Sequence, residues 1–129
     1  MATFKKLEDI QAWQKARFFC KELKIIFPLF IPAKEFDLMN QLKSSAGSAM
    51  DNIAEGFGRM GNNEFRNFLT ISHGSIMESI SQLHRSHDWS IISNEQLEYY
   101  KNIAEEEQRL IFSLINYLIQ SEHKGVKFR

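Results

Sequence analysis

The spacing of apolar residues in four separate segments constrains this fold more than any other feature of the sequence. In each segment the apolar side chains recur at steps of three and four residues, which places them on one face of an α-helix. The segments show no period-two alternation of the kind that a half-buried strand would have. The four stripes are Trp13, Ala16, Cys20, Leu23 and Phe27; Met39, Leu42, Ala46, Ala49 or Met50, Ile53 and Phe57; Phe65, Leu69, Ser72, Ile76, Ile80 and Leu83; and Tyr100, Ala104, Ile111, Leu114 and Leu118.

Three short breaks separate these segments. The breaks are marked by Pro28 and Pro32, by Gly56, Gly58 and Gly61, and by residues 89–93. We expect the glycines to end the second helix and turn the chain, and Ser93 with Gln96 to form a capping box before the fourth helix. Because short connections force neighbouring helices to run antiparallel, the sequence predicts an all-α fold. The expected architecture is an up-down antiparallel four-helix bundle, with one domain over residues 1–129.

The charge balance of the chain predicts only weak electrostatic attraction to nucleic acid. The chain has 16 Lys and Arg against 16 Asp and Glu, so its formal net charge is zero. Residues 1–28 nevertheless carry an excess of three positive charges, and the remainder carries the opposite excess. A mild basic segment of this kind attracts a polyanion only weakly unless several copies are brought together. Its cations are Lys5, Lys6, Lys15, Arg17, Lys21 and Lys24.

The single cysteine and the start of the chain favour a reducing compartment. Cys20 is the only cysteine, so no disulfide can form within the chain, and its place on the first apolar stripe indicates an inert core residue. The first residues are not followed by the apolar stretch of a secretory signal, and no apolar run approaches the length of a membrane span. We therefore expect a cytoplasmic protein without a membrane partner.

Two apolar residues of the first helix fall outside its stripe. At about 100° per residue, Phe18 and Ile25 lie nearly opposite the residues from Trp13 to Phe27. A helix that is apolar on two sides is usually buried on two sides, which predicts a subunit or partner interface. The alternative is that they are two scattered apolar residues of an ordinary surface.

A stripe of short polar side chains follows the second helix, away from its apolar face. Solvated helix faces normally carry Lys and Glu, which favour helix more than these residues do. The sequence therefore predicts a polar network between subunits or toward a ligand, and the alternative is a tolerated polar surface. The stripe consists of Gln41, Ser45, Ser48, Asn52 and Glu55, and the third helix carries a comparable set in Ser75, Glu78, Ser79, Gln82 and Ser86.

The remaining ionisable residues give weak signals for chemistry. Glu107 lies within the fourth apolar stripe, and we expect a rim position from which its carboxylate reaches solvent. His84, His87 and Asp88 are too few for a metal site of recognisable type, and the di-iron spacing of glutamate and histidine is absent. We predict no catalytic residue, no metal and no cofactor.

The glycine-rich connection after the second helix does not resemble a phosphate-binding loop. It follows a helix rather than a strand, and it lacks the lysine of a P-loop. Arg59 within it stays a candidate for contact with a phosphate or a carboxylate.

Several stretches of the chain, read together, resemble one known family. They are Phe4 to Ala16, Gln41-Leu42, Ser48, Asn52-Ile53-Ala54-Glu55-Gly56, Gly58-Arg59, Asn63-Glu64-Phe65, Phe68-Leu69, Gly74-Ser75 and Glu78. The family is that of the 23S rRNA intervening-sequence proteins, also called the S23 ribosomal protein family, and the resemblance covers nearly the whole chain. The Asn-Ile-Ala-Glu-Gly motif is its most specific part. One departure is Ala49-Met50-Asp51, where the family often has a proline before the motif.

The resemblance implies an up-down four-helix bundle that assembles into a ring-like homopentamer. It also implies recurrent polar positions at Gln41, Ser48, Asn52, Glu55, Gly56, Arg59, Ser75 and Glu78. Some members are encoded within insertions of ribosomal RNA genes, and a similar basic bundle serves as the nucleic-acid-binding accessory protein of diversity-generating retroelements. The neutral charge of this chain departs from that basic relative.

Three hypotheses follow from the residues and the resemblance together. The first is a non-enzymatic, self-assembling helical module of undefined cellular role, with Phe18 and Ile25 at subunit contacts and the polar stripes at or near them. The second is a nucleic-acid-binding accessory protein that uses the basic segment repeated around a ring. The third is a metal or small-molecule site inside the bundle around Glu107 and His87.

Overall fold

Four long helices build the protein, which we describe from a computed structural model covering residues 4–123, with side chains to Ser121. They are α1 (Gln11–Leu23), α2 (Phe36–Gly58), α3 (Asn62–Asp88) and α4 (Asn94–His123). Short 3-10 segments, Leu7–Asp9 and Phe27–Phe30, precede and follow α1, and residues 4–123 contain no strand. None of the described helices contains an apolar stretch long enough to cross a membrane.

The helices pack in a closed cycle, because α1 contacts α2 and α4, and α3 contacts the same two helices. Short connections reverse the chain between successive helices, so neighbours run antiparallel. The predicted up-down four-helix bundle is therefore confirmed.

One continuous apolar core lies between the helices, and the predicted stripes contribute most of it. On α1, the buried face is turned about the helix axis relative to the predicted stripe. Phe19 is fully buried at its centre, whereas Trp13, Cys20 and Phe27 are only partly buried at its edge. The rotation arises because α1 packs against α4 as well as α2.

The connections hold both expected and unexpected features. The capping box before α4 is present, since the Ser93 backbone donates to Gln96 Oε1 at 2.9 Å and the Gln96 backbone donates to Ser93 Oγ at 3.1 Å. The prediction for Gly56 was wrong, because this residue lies within α2 and is buried against α3. A Cβ there would sit 2.7 Å from Phe68 Cβ, so this glycine permits close packing of α2 against α3. The turn between α2 and α3 contains Met60, whose φ is 68°.

Candidate interaction surfaces

Short polar side chains of α2 and α3 meet in the interior of one chain and form a seam of hydrogen bonds. At its centre Ser45 Oγ lies 2.7 Å from Ser79 Oγ and donates to Gln82 Oε1 at 2.6 Å. All three side chains are buried. A serine is short enough for two helices to approach closely, and its hydroxyl then needs a partner because water is excluded. The predicted stripes of α2 and α3 thus face each other.

The seam continues toward the middle of the bundle through a second pair of serines. Ser48 Oγ and Ser75 Oγ are 2.9 Å apart, and Asn52 Nδ2 donates to Ser48 Oγ at 3.0 Å. Ser72, which the sequence placed on the apolar stripe, donates from its buried Oγ to the carbonyl oxygen of Ala49 at 2.6 Å. We call this set the polar seam: Ser45, Ser48, Asn52, Ser72, Ser75, Ser79 and Gln82.

The remaining predicted polar residues lie at the exposed ends and edge of the seam. Gln41 accepts a hydrogen bond from Arg85 at 2.6 Å, which joins α2 to α3 near one end of the bundle. Glu55 of α2 and Arg59, the first residue after this helix, form an exposed ion pair at 2.8 Å. Glu78 is exposed and has no hydrogen bond or ion pair with a described residue. The structure therefore joins Ser45, Ser48, Asn52 and Ser75 into one network but leaves Glu78 outside it, and a role in subunit contacts stays a prediction.

The outer face of α1 combines apolar and positively charged side chains. Phe18 on α1 is 41% exposed, and Ile25, in the turn that follows the end of α1 at Leu23, is 65% exposed. Arg17 and Lys21 are exposed on the same face, and neither forms an ion pair with a described residue. A shallow groove of about 340 Å³ runs beside Phe18. We call Arg17, Phe18, Lys21 and Ile25 the α1 outer face.

Lys15 differs from the other cations of the basic segment because α4 holds it. Its Nζ lies 3.0 Å from Glu106 Oε1 and 5.5 Å from the centre of the Phe18 ring. This ion pair removes Lys15 from the charges that are free to contact a partner. The α1 outer face therefore keeps two unpaired cations.

Glu107 is buried in the core, so its predicted place at the rim was wrong. The residue has no exposed surface, and neither carboxylate oxygen has a hydrogen-bond partner among the described residues. Burial raises the pKa of Glu107 to about 8. Its position between Ala104 and Ile111 faces the interior too directly for the side chain to reach solvent. At neutral pH the side chain is therefore mainly the uncharged acid.

Cys20 lies near Glu107, and its thiol is unreactive. Burial, with the carboxylates of Glu107 and Asp51 adding to it, raises the pKa of the thiol to about 12. Because the thiolate is the reactive form of cysteine, a thiol with this pKa is a poor nucleophile. Cys20 packs against the core but is only partly buried, and its raised pKa agrees with the prediction of an inert thiol.

The residues of the hypothetical interior metal site do not come together. Gln108 contacts His73 at 2.9 Å, so Glu107 lies near the level of His73 on α3. His87 is fourteen residues further along that helix, about 21 Å at the rise of an α-helix. No three potential ligands among His, Cys, Asp and Glu cluster within the described residues. The hypothesis that Glu107 and His87 share a site was therefore wrong.

The chain is similar to a known protein family and to a solved structure. Residues 8–113 match the family described as 23S rRNA-intervening sequence protein. A solved structure from Bacteroides thetaiotaomicron VPI-5482, described as a protein with unknown function from the S23 ribosomal protein family, superposes with a TM-score of 0.77. It is 24% identical, and the match covers 81% of this chain and 95% of that one, which shows the shared fold. No curated protein gives a significant match.

Proposed function

The chain belongs to the 23S rRNA-intervening sequence protein family, and we propose that it acts without catalysis, as a cytoplasmic helical module that assembles with copies of itself. The family and the solved relative are of unknown function, and neither indicates a catalytic class. The thiol of Cys20 has a pKa of about 12 and the acid of Glu107 is fully buried, so neither is suited to act on a substrate. A homopentamer is the form of assembly that we propose on the family resemblance.

One observation carries the proposal, namely the apolar side chains at the centre of the α1 outer face. Phe18 on α1 and Ile25 in the turn just after it are both exposed on the side opposite the buried residues of α1. Covering an apolar side chain that size contributes about 1.5–3 kcal/mol when it is buried completely. Two such residues in each copy, repeated at each contact, supply a driving force for association.

Molar mass measured by light scattering and native mass spectrometry tests the assembly. We expect the unaltered protein to be an oligomer and the Phe18→Asp variant to be a monomer with unchanged helicity. Phe112→Asp is the matched control, because Phe112 is a phenylalanine on α4 that is 52% exposed, somewhat more than Phe18. We expect that control to keep the mass of the unaltered protein. A monomeric unaltered protein, or an oligomeric Phe18→Asp variant, would contradict the proposal.

A second candidate function is binding of nucleic acid, favoured by the unpaired Arg17 and Lys21 of the α1 outer face. Repetition in an oligomer would concentrate these charges, together with the exposed Lys5, Lys6 and Lys24. Titration of labelled RNA at low and raised salt tests this candidate, because phosphate contacts weaken steeply as salt rises. Binding that Arg17→Glu with Lys21→Glu abolishes would support it, and no binding at low salt would exclude it.

A further inference from the structure

A groove between α1 and α2 combines apolar walls with two lysines. Its volume is about 360 Å³, which lies at the lower end of the range for ligand cavities. Leu23 and Ala46 contribute apolar surface to it and also belong to the buried core, so the groove reaches down to the core. We call it the α1–α2 groove, and it is lined by Cys20, Leu23, Lys24, Phe27, Lys43, Ala46 and Gly47.

The two lysines of the α1–α2 groove are not compensated by an acid. Neither Lys24 nor Lys43 forms an ion pair with a described residue, and Lys43 Nζ lies 5.5 Å from the centre of the Phe27 ring. The described residues that line the groove include no carboxylate. Three other surface depressions of the bundle do contain one, from Asp9, from Glu8, and from Asp51 with Glu55. An anion in the α1–α2 groove would therefore meet two ammonium groups and no opposing acid in its lining.

The antiparallel course of the helices gives the groove a direction. Lys24 follows Cys20 by one turn on α1, and Lys43 precedes Gly47 by one turn on α2. Both lysines therefore lie at the same end of the groove, and Cys20 and Gly47 lie about 6 Å further toward the middle of the bundle. Asp51 is the next acid along α2 and lies one turn beyond Gly47. The groove is thus positive at one end and apolar along its length.

Gly47 leaves space in the groove that the single chain does not use. Glycine in a helix interior costs about 1 kcal/mol relative to alanine, and a Cβ at Gly47 would meet nothing within 4 Å. Gly74 of α3 has equally open surroundings but does not line this groove. A side chain at Gly47 would occupy part of the groove, so the glycine keeps its inner end open.

We propose that the α1–α2 groove binds an amphiphilic anion, namely a short aliphatic chain that ends in a carboxylate or a phosphate group. The acidic group contacts Lys24 and Lys43, and the chain lies over Leu23 and Ala46 and ends near Gly47. The two parts of the ligand use the two kinds of surface that the groove offers. This inference adds a ligand to the proposed function and does not rest on self-assembly.

Titrations with matched probes test both parts of this ligand. Octanoate and octyl phosphate carry the chain with one acidic group each, octanol carries the chain alone, and acetate and inorganic phosphate carry the acidic group alone. By isothermal titration calorimetry we expect octanoate, octyl phosphate or both to bind about tenfold more tightly than octanol, acetate and inorganic phosphate. The stronger of the two identifies the acidic group. Changes of amide chemical shift in NMR spectra should be largest around Cys20 and Gly47.

Charge variants test the contribution of the two lysines. Lys24→Gln combined with Lys43→Gln should weaken binding of the better probe about tenfold and leave the binding of octanol unchanged. Arg17→Gln combined with Lys21→Gln is the matched control, because it removes two exposed cations of α1 that do not line the groove. We expect this control to bind like the unaltered protein.

A second pair of variants tests the open space at Gly47. Gly47→Leu should abolish binding because its side chain fills the groove, and its melting temperature should not fall because the Cβ meets nothing. Gly74→Leu places the same side chain on α3 and should bind like the unaltered protein. Circular dichroism checks that both variants are folded. If Gly47→Leu does not fold, the charge variants and the position of the shift changes decide the inference.

Three results would overturn the inference. The first is that neither octanoate nor octyl phosphate binds. The second is that octanol binds as tightly as they do, or that the loss of Lys24 and Lys43 changes nothing, since either would indicate a general apolar depression. The third is that the shift changes lie away from Cys20 and Gly47. Light scattering on the same samples reports the state of assembly separately, so failure of this inference and failure of the proposed function are distinguishable.

Discussion

Ser45 Oγ lies 2.6 Å from the side-chain carbonyl oxygen of Gln82, so a buried hydroxyl on α2 donates directly to a buried amide on α3. Gln82 lies in a part of the seam where water is excluded, and the loss of its donor would leave a polar atom without a partner. The energetic consequence is asymmetric, because an unsatisfied buried group costs more than a formed hydrogen bond contributes. This contact gives the first prediction.

Ser45→Ala should destabilise the protein by about 1–3 kcal/mol, since it leaves Gln82 Oε1 without its donor and leaves Ser79 with only its bond to the Ser75 carbonyl oxygen. Ser44→Ala is the control, because Ser44 is exposed one position earlier on the same helix. Urea unfolding followed by circular dichroism measures both variants. Equal stabilities for the two would show that the seam contributes little.

Two glycines of α2 should respond to alanine in opposite directions. Gly56→Ala should lower the melting temperature, because its Cβ would lie 2.7 Å from Phe68 Cβ and 3.0 Å from the Phe65 ring. Gly47→Ala should stabilise the monomer by about 1 kcal/mol, since helix propensity improves and the Cβ meets nothing. Thermal unfolding at a concentration where the protein is monomeric compares them. A shift of the same sign in both variants would contradict this account of Gly56.

Two adjacent tyrosines on α4 contact the same residue of α1 and should differ in their importance. Tyr100 is buried and donates to the carbonyl oxygen of Glu22 at 2.8 Å, whereas the exposed Tyr99 donates to Glu22 Oε1 at 2.7 Å. Tyr100→Phe should destabilise the fold by about 1 kcal/mol because it removes a hydrogen bond that joins α4 to α1, although the Glu22 carbonyl oxygen still accepts from the Ile25 backbone at 3.1 Å. Tyr99→Phe should change stability by less than half as much. Denaturant midpoints for the two variants measure the difference, and a larger loss in Tyr99→Phe would refute it.

The buried acid makes stability depend on pH. Burial raises the pKa of Glu107 to about 8 from its ordinary value of 4.5, so the folded protein holds a proton that the unfolded chain has released between these values. Stability should therefore be unaffected by Glu107 below pH 4.5. It should fall by about 1.4 kcal/mol per pH unit as pH rises toward 8, and then level off. Cys20 on α1 is a titratable group close to Glu107, and its thiol pKa of about 12 lies above this pH range.

Glu107→Gln isolates this contribution, because the amide cannot ionise. The difference in unfolding free energy between variant and unaltered protein should grow in favour of the variant from pH 5 to pH 8. Glu105→Gln, at a partly exposed position on the same helix, should track the unaltered protein throughout. Parallel stability curves for Glu107→Gln and the unaltered protein would mean that Glu107 is charged in the folded state or solvated.

The sequence predicted those parts of the fold that depend on local spacing. The spacing of apolar residues by three and four predicted the helices, and the capping box of Ser93 and Gln96 predicted where α4 begins. The outward placement of Phe18 and Ile25 followed from the same angles. These features depend on a single helix or a single turn, so one chain segment contains the needed information.

Features that depend on what covers a surface could not be predicted in the same way. The polar stripe of α2 was identified from its residues, but periodicity does not say whether another helix of the chain or another subunit covers it. For Glu107 the apolar stripe did indicate an interior position. The free-energy cost of burying a carboxylate nevertheless favoured an exposed rim, and that prediction was wrong. Gly56 was mistaken for a turn residue because sequence alone does not reveal the approach of Phe68.

The polar seam has a consequence for how α2 and α3 can slide along each other. Apolar side chains tolerate many arrangements, and two smooth helices could shift by one turn and still exclude water. A displacement of about 5 Å would separate Ser45 from Gln82 Oε1 and leave this buried amide oxygen without its donor, whereas the hydroxyls of Ser45 and Ser79 would keep the carbonyl oxygens that they contact in their own helices. The buried Gln82 thereby favours one axial alignment of this hairpin, much as a single buried polar residue selects one alignment in a coiled coil.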